Sequence, residues 1–407
     1  MNKTKQYLLF FKNNQAIFAL ILHCLMIFAV PLAIAAQNIG FGAATLIGSL
    51  SNKTKSLRVT IASFRNYLIS LCSLLLVIAL ATTLNPKTGP KEALSFLAGY
   101  IFLVILPPLV STNSGFAPLL RSKKVAYIAA TTIICWAAIV VSQSIFGWRI
   151  VGSSIVDGPL RPQGFYSHPL TLAYAALILW PFALFFTTEH SKNILAWLTS
   201  VSLGAIIFLS ESRTAIATAA LIAPIQIFFM SSAKRKMIWL GAFMVGGLVI
   251  VVTPNRISER IRGTIEGTED RTTDYPDDRL GFWHAHWEMI KEKPLLGHGS
   301  GLNTAYRTPY YERIGLADMT KKYEAHNVYI QLLANGGVVG LLLFLLWTRS
   351  IFEIFLKISE KRFRGAFMLS LGGLLFASLT QNSFQDAEVR NTLLVVVIYA
   401  SSFATIS

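Results

Sequence analysis

Apolar residues fill most of this chain in long blocks, and short polar stretches interrupt them. A helix crossing a bilayer core of about 30 Å needs roughly 20 predominantly apolar residues. About 12 blocks reach or approach that length: 15–36, 38–51, 67–84, 93–110, 125–147, 169–187, 194–210, 214–230, 238–253, 327–346, 366–381 and 391–406. The pattern predicts an all-α polytopic membrane protein, one membrane domain over 1–407. The second block is short and carries Gly40, Gly42 and Gly48, so it reads as a tilted or half-inserted segment. The first follows Lys3, Lys5 and Lys12 and ends in Ala33–Ala36, which resembles a signal cleavage site. Its apolar run is too long for a signal core, so an uncleaved span is expected.

One stretch breaks the rhythm. Residues 254–326 are rich in charge, aromatics and turn formers, and form the only loop long enough to build a site. Lys and Arg in the short connections divide unevenly, about 19 on one side against about 6 on the other. The positive-inside rule then puts both termini in the cytoplasm and the long loop in the periplasm. The net charge of +16 is thereby mostly topology. Its basic residues are dispersed among turns, which argues against nucleic acid as a partner and leaves membrane lipids. Cys24, Cys72 and Cys135 all fall inside apolar blocks, so neither a disulfide framework nor a thiolate metal site is expected.

Within the loop, Asp277-Asp278-Arg279 opens a helical pattern that Pro294 stops. Leu280, Trp283, Trp287 and Ile290 make one apolar stripe, expected to lie along the membrane surface with Trp at the interface. Arg279 on its first turn is either a solvated surface cation or an anion-binding group. Gly297-His298-Gly299-Ser300-Gly301 follows. No strand precedes it, so a flexible turn is preferred over a phosphate cradle. His326-Asn327 stands directly before the block 327–346. Asn327 is expected to cap that helix, and the positive helix end would keep His326 neutral and able to accept a proton, as well as favour a bound phosphate. An interfacial histidine without a task is the plain alternative.

Arg213, in Ser210-Glu211-Ser212-Arg213-Thr214, sits in a very short connection at the membrane boundary. It needs a partner or a function there, snorkelling to head groups or pairing with Glu211 being the modest options. Arg161 and His168 belong to another outside turn with Gln163, Gly164 and Pro169. Gln381, Asn382, Asp386, Glu388 and Arg390 line the last outside turn, suited to hydrogen-bonding a sugar or forming an ordinary polar loop. The adjacent Asp277 and Asp278 point apart on a helix, as do His284 and His286, so no metal site is expected.

Arg279-Leu280, Trp283 and Ile290–Gly299 resemble a block of O-antigen ligases and the related O-antigen polymerases. His326-Asn327 with Gly336-Gly337 and Gly340 behind it resembles a second, and Ser212-Arg213-Thr214 a third. The resemblance extends over roughly 160–400. It implies a bacterial inner-membrane glycosyltransferase without metal or other cofactor, acting at the periplasmic face with inversion. The implied donor is a glycan on undecaprenyl diphosphate, and the implied acceptor a sugar hydroxyl of lipid A–core, giving lipopolysaccharide. By the same carry-over, Arg213 and Arg279 hold the diphosphate and His326 is the general base. Arg161, His168, Asn327 and Asp386 are the expected substrate-binding residues. O-antigen polymerases and protein O-oligosaccharyltransferases share these features and differ in acceptor. A lipid-linked sugar transporter would need mid-span charges or related halves, which the chain lacks.

Overall fold

The computed structural model describes residues 30, 34–51, 61–111, 123–148, 161–166, 168–189, 194–228, 236–237, 241, 278–302, 304–317 and 324–403. The expected spans 15–36 and 238–253, and Asp277, lie almost or wholly outside the described residues. Those described are helical, with no strand among them. In chain order the helices are α1 (Ile34–Ser51), α2 (Arg65–Leu84), α3 (Pro90–Ala98), α4 (Ile101–Ser111), α5 (Lys123–Phe146), α6 (Pro169–Glu189) and α7 (Ile194–Leu209). They continue as α8 (Arg213–Phe228), α9 (Asp278–Glu292), α10 (Thr304–Arg313), α11 (Val328–Leu356), α12 (Lys361–Ala377) and α13 (Ala387–Phe403).

Among the described residues, four stretches are long and apolar enough to cross a bilayer: Arg65–Leu84, Pro90–Leu109, Val125–Phe146 and Val328–Leu356. The second combines α3 and α4, so the expected span 93–110 is jointed at Gly99-Tyr100. Pro169–Phe185, Ile194–Leu209 and Arg213–Phe228 are shorter apolar helices. Their outward side chains stay exposed, among them Leu76, Leu80, Ile145, Leu198, Phe228 and Leu342. So much exposed aliphatic surface suits lipid, not water. The chain is a membrane protein.

Polar and apolar demands are divided between the helices. α6 is buried on every side from Leu172 to Ile178, because α7, α8, α12 and α13 all pack against it. That fits a helix apolar all round, with no polar face to offer solvent. α2 runs along α11. At one end Asn66 Nδ2 donates to Glu353 Oε2 (3.3 Å), and Arg349 Nε donates to Glu353 Oε1 (3.1 Å). The candidate site lies at the opposite end.

α11 is not the single span expected over 327–346. Gly337 has φ 63° and ψ −166°, a conformation essentially reserved for glycine. It divides the helix into a short arm, 328–336, and a long arm, 338–356. Tyr329 and Phe344 have ring centroids 6.3 Å apart. Fifteen residues of straight helix would hold them about 22 Å apart. The short arm therefore folds back alongside the long one.

Such a break frees backbone groups that hydrocarbon cannot satisfy. The segment 294–299 supplies the partners. His298 N donates to Ala334 O and Gly299 N to Asn335 O (both 2.8 Å), while Val338 N donates to Pro294 O (2.8 Å) and Val339 N to Leu295 O (3.3 Å). The fit leaves no room for side chains. A Cβ on Gly337 would stand 2.1 Å from Leu295 O, and one on Gly299 would stand 2.4 Å from Thr82 Cα. The glycine run is thus neither a flexible turn nor a phosphate cradle, since its glycines permit this close backbone approach. Thr82 Oγ1 accepts from Ser300 N (2.8 Å) and Asn85 Nδ2 donates to His298 O (2.6 Å), tying the segment to the end of α2.

α9 forms where expected, and its apolar positions divide between two faces. Phe282, Ala285 and Met289 are buried while Leu280 and Trp287 are exposed. The partners decide this: α9 packs on α11 and α10, and Phe282, Met289, Tyr310, Tyr311 and Ala334 share one cluster. Of the stripe seen in the sequence, Leu280 and Trp287 face outward, while Ile290 is buried and Trp283 packs against the cluster.

Gly337→Ala is expected to destabilise the protein by about 2–5 kcal/mol, combining backbone strain and overpacking. Gly204→Ala, with nothing near its Cβ, is expected to be neutral or slightly stabilising. Thermal unfolding in detergent, followed by tryptophan fluorescence, compares the two; equal Tm values would remove the interlock from the account.

Candidate functional site

Among the described residues, only two without the freedom of glycine have positive φ: Glu211 at 54° and His326 at 47°. Backbone held in this region costs of order 1–3 kcal/mol and persists where the surroundings enforce it. Both residues adjoin sequence candidates for chemistry. The enforcement at His326 is visible. Asn327 caps the short arm, its Oδ1 accepting from Tyr329 N (2.9 Å) and Ile330 N (3.1 Å), as expected from the sequence. The same side chain donates through Nδ2 to Leu379 O (2.8 Å), and Val328 N donates to Ser378 O (2.9 Å). The loop after α12 therefore grips the start of the short arm.

That grip orients the imidazole. His326 Nδ1–H donates to Gln381 Oε1 (3.0 Å). An amide oxygen can only accept, so the proton of the neutral ring resides on Nδ1 and the lone pair on Nε2. Phe282 lies against the ring at 5.6 Å between centroids, one turn along α9 from Arg279. Gln381 was visible in the sequence only as one of several polar loop residues.

Arg213 is the first residue of α8. Ser212 precedes it as cap, with Ala215 N donating to its Oγ (3.3 Å). Thr214 Oγ1 meets Thr380 Oγ1 at 2.7 Å, so the same loop that grips His326 also touches the start of α8. Arg161 holds the turn before Arg213: its Nε donates to Ser210 O (2.9 Å), its Nη2 donates to the same oxygen, and it pairs with Glu211 at 3.8 Å. Glu211 is thus paired with Arg161. Tyr174, buried on α6, is within reach of the Ser212 and Thr214 side chains and feels the charges of Arg279 and Asp386.

His168 adjoins this group. Leu170 N donates to its Nδ1 (3.1 Å), and desolvation, followed by the charges of Arg161 and His326, lowers its pKa. Asp386 accepts from Thr171 Oγ1 (3.2 Å). Burial, with the nearby Glu388 and Glu324, pushes its carboxyl up to about 7. Arg161, Arg213, Arg279, His168, His326 and Asp386 therefore gather at one end of the bundle from five separate regions of the chain. Among the described residues no three His, Cys, Asp or Glu side chains converge as metal ligands would. The gathered charge is mostly guanidinium, which pairs with phosphate oxygens two-pronged and stays ionised.

Two further histidines serve structure. His298 Nε2–H donates to Met289 O (2.8 Å) and Tyr306 OH donates to its Nδ1 (2.7 Å), with burial lowering its pKa. His286 Nδ1–H donates to Phe282 O (2.8 Å). Burial lowers the pKa of His286 to about 4, keeping it neutral behind the ring that rests on His326.

Asp386 sets a pH dependence. Its raised pKa means that ionisation opposes folding, a penalty absent below about pH 4 and complete above about pH 7. Asp386→Asn should therefore gain Tm relative to wild type as pH rises through this window, with little difference at its acid end. Thermal melts across the window check it; a constant difference would show that Asp386 is not buried as described.

The family model described as O-antigen ligase matches residues 198–345 of the chain. The match contains Arg213, Arg279, His326 and the Gly337 break, and leaves Arg161, His168, Gln381 and Asp386 outside it. No curated protein matches the chain.

Proposed function

We propose that this chain, whose residues 198–345 match the family model described as O-antigen ligase, transfers a glycan from undecaprenyl diphosphate to a sugar hydroxyl of lipid A–core. The observation that carries this reading is the convergence of Arg213 and Arg279 with a histidine whose tautomer is set by Gln381. In the proposed step His326 Nε2 takes the proton of the acceptor hydroxyl. The acceptor oxygen forms a bond to the anomeric carbon with inversion, and the carbon–oxygen bond to the diphosphate breaks. The electron pair leaves on the diphosphate, where Arg213 and Arg279 meet the growing charge. Diphosphate is a good leaving group, so guanidinium groups serve where an acid or a metal would otherwise be needed. Asn327 fixes the base through its cap, and Arg161, His168 and Asp386 are assigned to substrate.

The proposed setting is the bacterial inner membrane, with both termini cytoplasmic, about 12 spans in one membrane domain, and the site end facing the periplasm. The basic residues of the short connections support that orientation. Exposed Leu280, Trp287, Leu295 and Leu296 support a loop 254–326 that rests its outer apolar face on the bilayer. An O-antigen polymerase would share the donor half of this site and take another lipid-linked glycan as acceptor.

Purified protein given the lipid-linked donor and lipid A–core tests the chemistry. His326→Ala should lower turnover by about 10²–10⁴-fold, the usual worth of a positioned base. Gln381→Leu should lower kcat by less and leave KM near wild type, because it loosens the base without removing it. Normal turnover in His326→Ala would remove the base assignment.

A further inference from the structure

A cavity of about 340 Å³ opens between α2, α3, the short arm of α11 and the start of α13. None of the groups assigned above lines it. Its size falls at the lower end of small-molecule sites, which span roughly 300–1,000 Å³.

The charges in its wall are answered from within the protein. Glu324 acts on Arg307, whose Nη1 donates to Leu302 O (3.0 Å). Arg390 Nη1 donates to Phe384 O (3.3 Å) and Gln385 O (3.1 Å), and its guanidinium lies 4.2 Å from the centre of the Tyr100 ring.

What the cavity leaves open is hydrogen-bonding capacity of both signs. Asn335 Oδ1 accepts from Gln331 Nε2 (2.9 Å), but Asn335 Nδ2 has no partner among the described residues. Gln385, unlike its neighbours in the loop after α12, leaves its whole side-chain amide unpaired among them, and Ser95 leaves its hydroxyl so. Glu324 Oε2 accepts from Asn382 (3.0 Å), and its other oxygen remains as an acceptor. None of these open atoms is sealed from the cavity. Phe96, Tyr100 and Leu332, each half-buried, set apolar faces beside them.

A hydroxyl both donates and accepts, and a pyranose ring carries several on its rim, with apolar C–H faces above and below. Water would serve the polar groups and leave the apolar faces wet. An anion would meet the free oxygen of Glu324 where it needs a donor.

We propose that this cavity is a saccharide subsite, which takes one uncharged sugar residue of a glycan whose reacting end lies at the arginine–histidine group. Asn335 Nδ2 donates to a sugar oxygen, Glu324 accepts from a hydroxyl, and Gln385 and Ser95 do either. Asn382 joins the two places: its Nδ2 donates to Glu324 and to Gln331 (3.4 Å) in the cavity wall, and it follows Gln381, which holds His326. The subsite rests on the transfer reading for the identity of its glycan, and deepens it by naming residues that select the sugar. A site built to hydrogen-bond a hydroxyl rejects an analogue lacking it.

The full chain, in a detergent without a sugar head group, would be titrated calorimetrically with two lipid-free oligosaccharides from the parent strain's lipopolysaccharide. One is the O-antigen repeat and the other the dephosphorylated core. At least one should bind saturably; the tighter identifies the glycan as donor or acceptor. Added inorganic phosphate should leave that binding unchanged. Ser95→Ala with Gln385→Met removes no side-chain hydrogen bond within the described protein, so the double variant should keep the wild-type Tm. It should weaken binding by about tenfold. Binding of neither oligosaccharide, competition by phosphate, or wild-type affinity in the double variant would overturn the subsite. His326→Ala should bind as wild type does. Normal turnover in that variant would count against the proposed base, whereas turnover by a wild type that binds neither oligosaccharide would count against the subsite alone.

Discussion

The backbone interlock between 294–299 and the break in α11 is the contact on which the rest depends. A helix interrupted at Gly337 leaves carbonyl and amide groups that a bilayer cannot satisfy, and the loop segment satisfies four of them. The break turns the short arm back, and the short arm carries His326 at its head. The same loop segment continues from α9, whose first turn carries Arg279. One set of backbone hydrogen bonds thereby fixes the relative positions of a base and a cation more than forty residues apart in sequence.

A second constraint closes the site from the other side. The loop between α12 and α13 reaches α8 through Thr380, the short arm through Ser378 and Leu379, His326 through Gln381, and α6 through Asp386. Its polar side chains are nearly all spent on other protein groups. The loop is therefore less a surface that greets substrate than a frame that sets dihedral angles and tautomers. Enforced positive φ at His326 is the local sign of that frame.

Much of this was legible in the sequence, for identifiable reasons. Spans announce themselves by length and hydropathy, and α2, α5 and α6 lie close to where apolar runs put them. Arg213 and His326 stood out because a charged or titratable side chain at the edge of an apolar block needs a reason to be there. The break in α11 did not show, since Gly336-Gly337 inside a run of Val and Leu is compatible with an ordinary span and hydropathy is blind to dihedral angles. α9 was recognised as a helix, but the stripe read from it mixes two faces, Leu280 and Trp287 being exposed and Ile290 buried, and only its partners decide which positions turn inward. Gln381 was one polar residue among several. Its hydrogen bond to His326 spans 55 positions, and no local pattern reports a contact of that range.

Lipopolysaccharide from a strain lacking this gene, complemented with wild type or Arg279→Ala, tests the central claim of glycan transfer most directly. The account predicts cores bare of O-antigen in the null and Arg279→Ala strains, with the full ladder restored by wild type. Cores capped with a single repeat would move the assignment to polymerase. A ladder unchanged by loss of the gene would contradict the account.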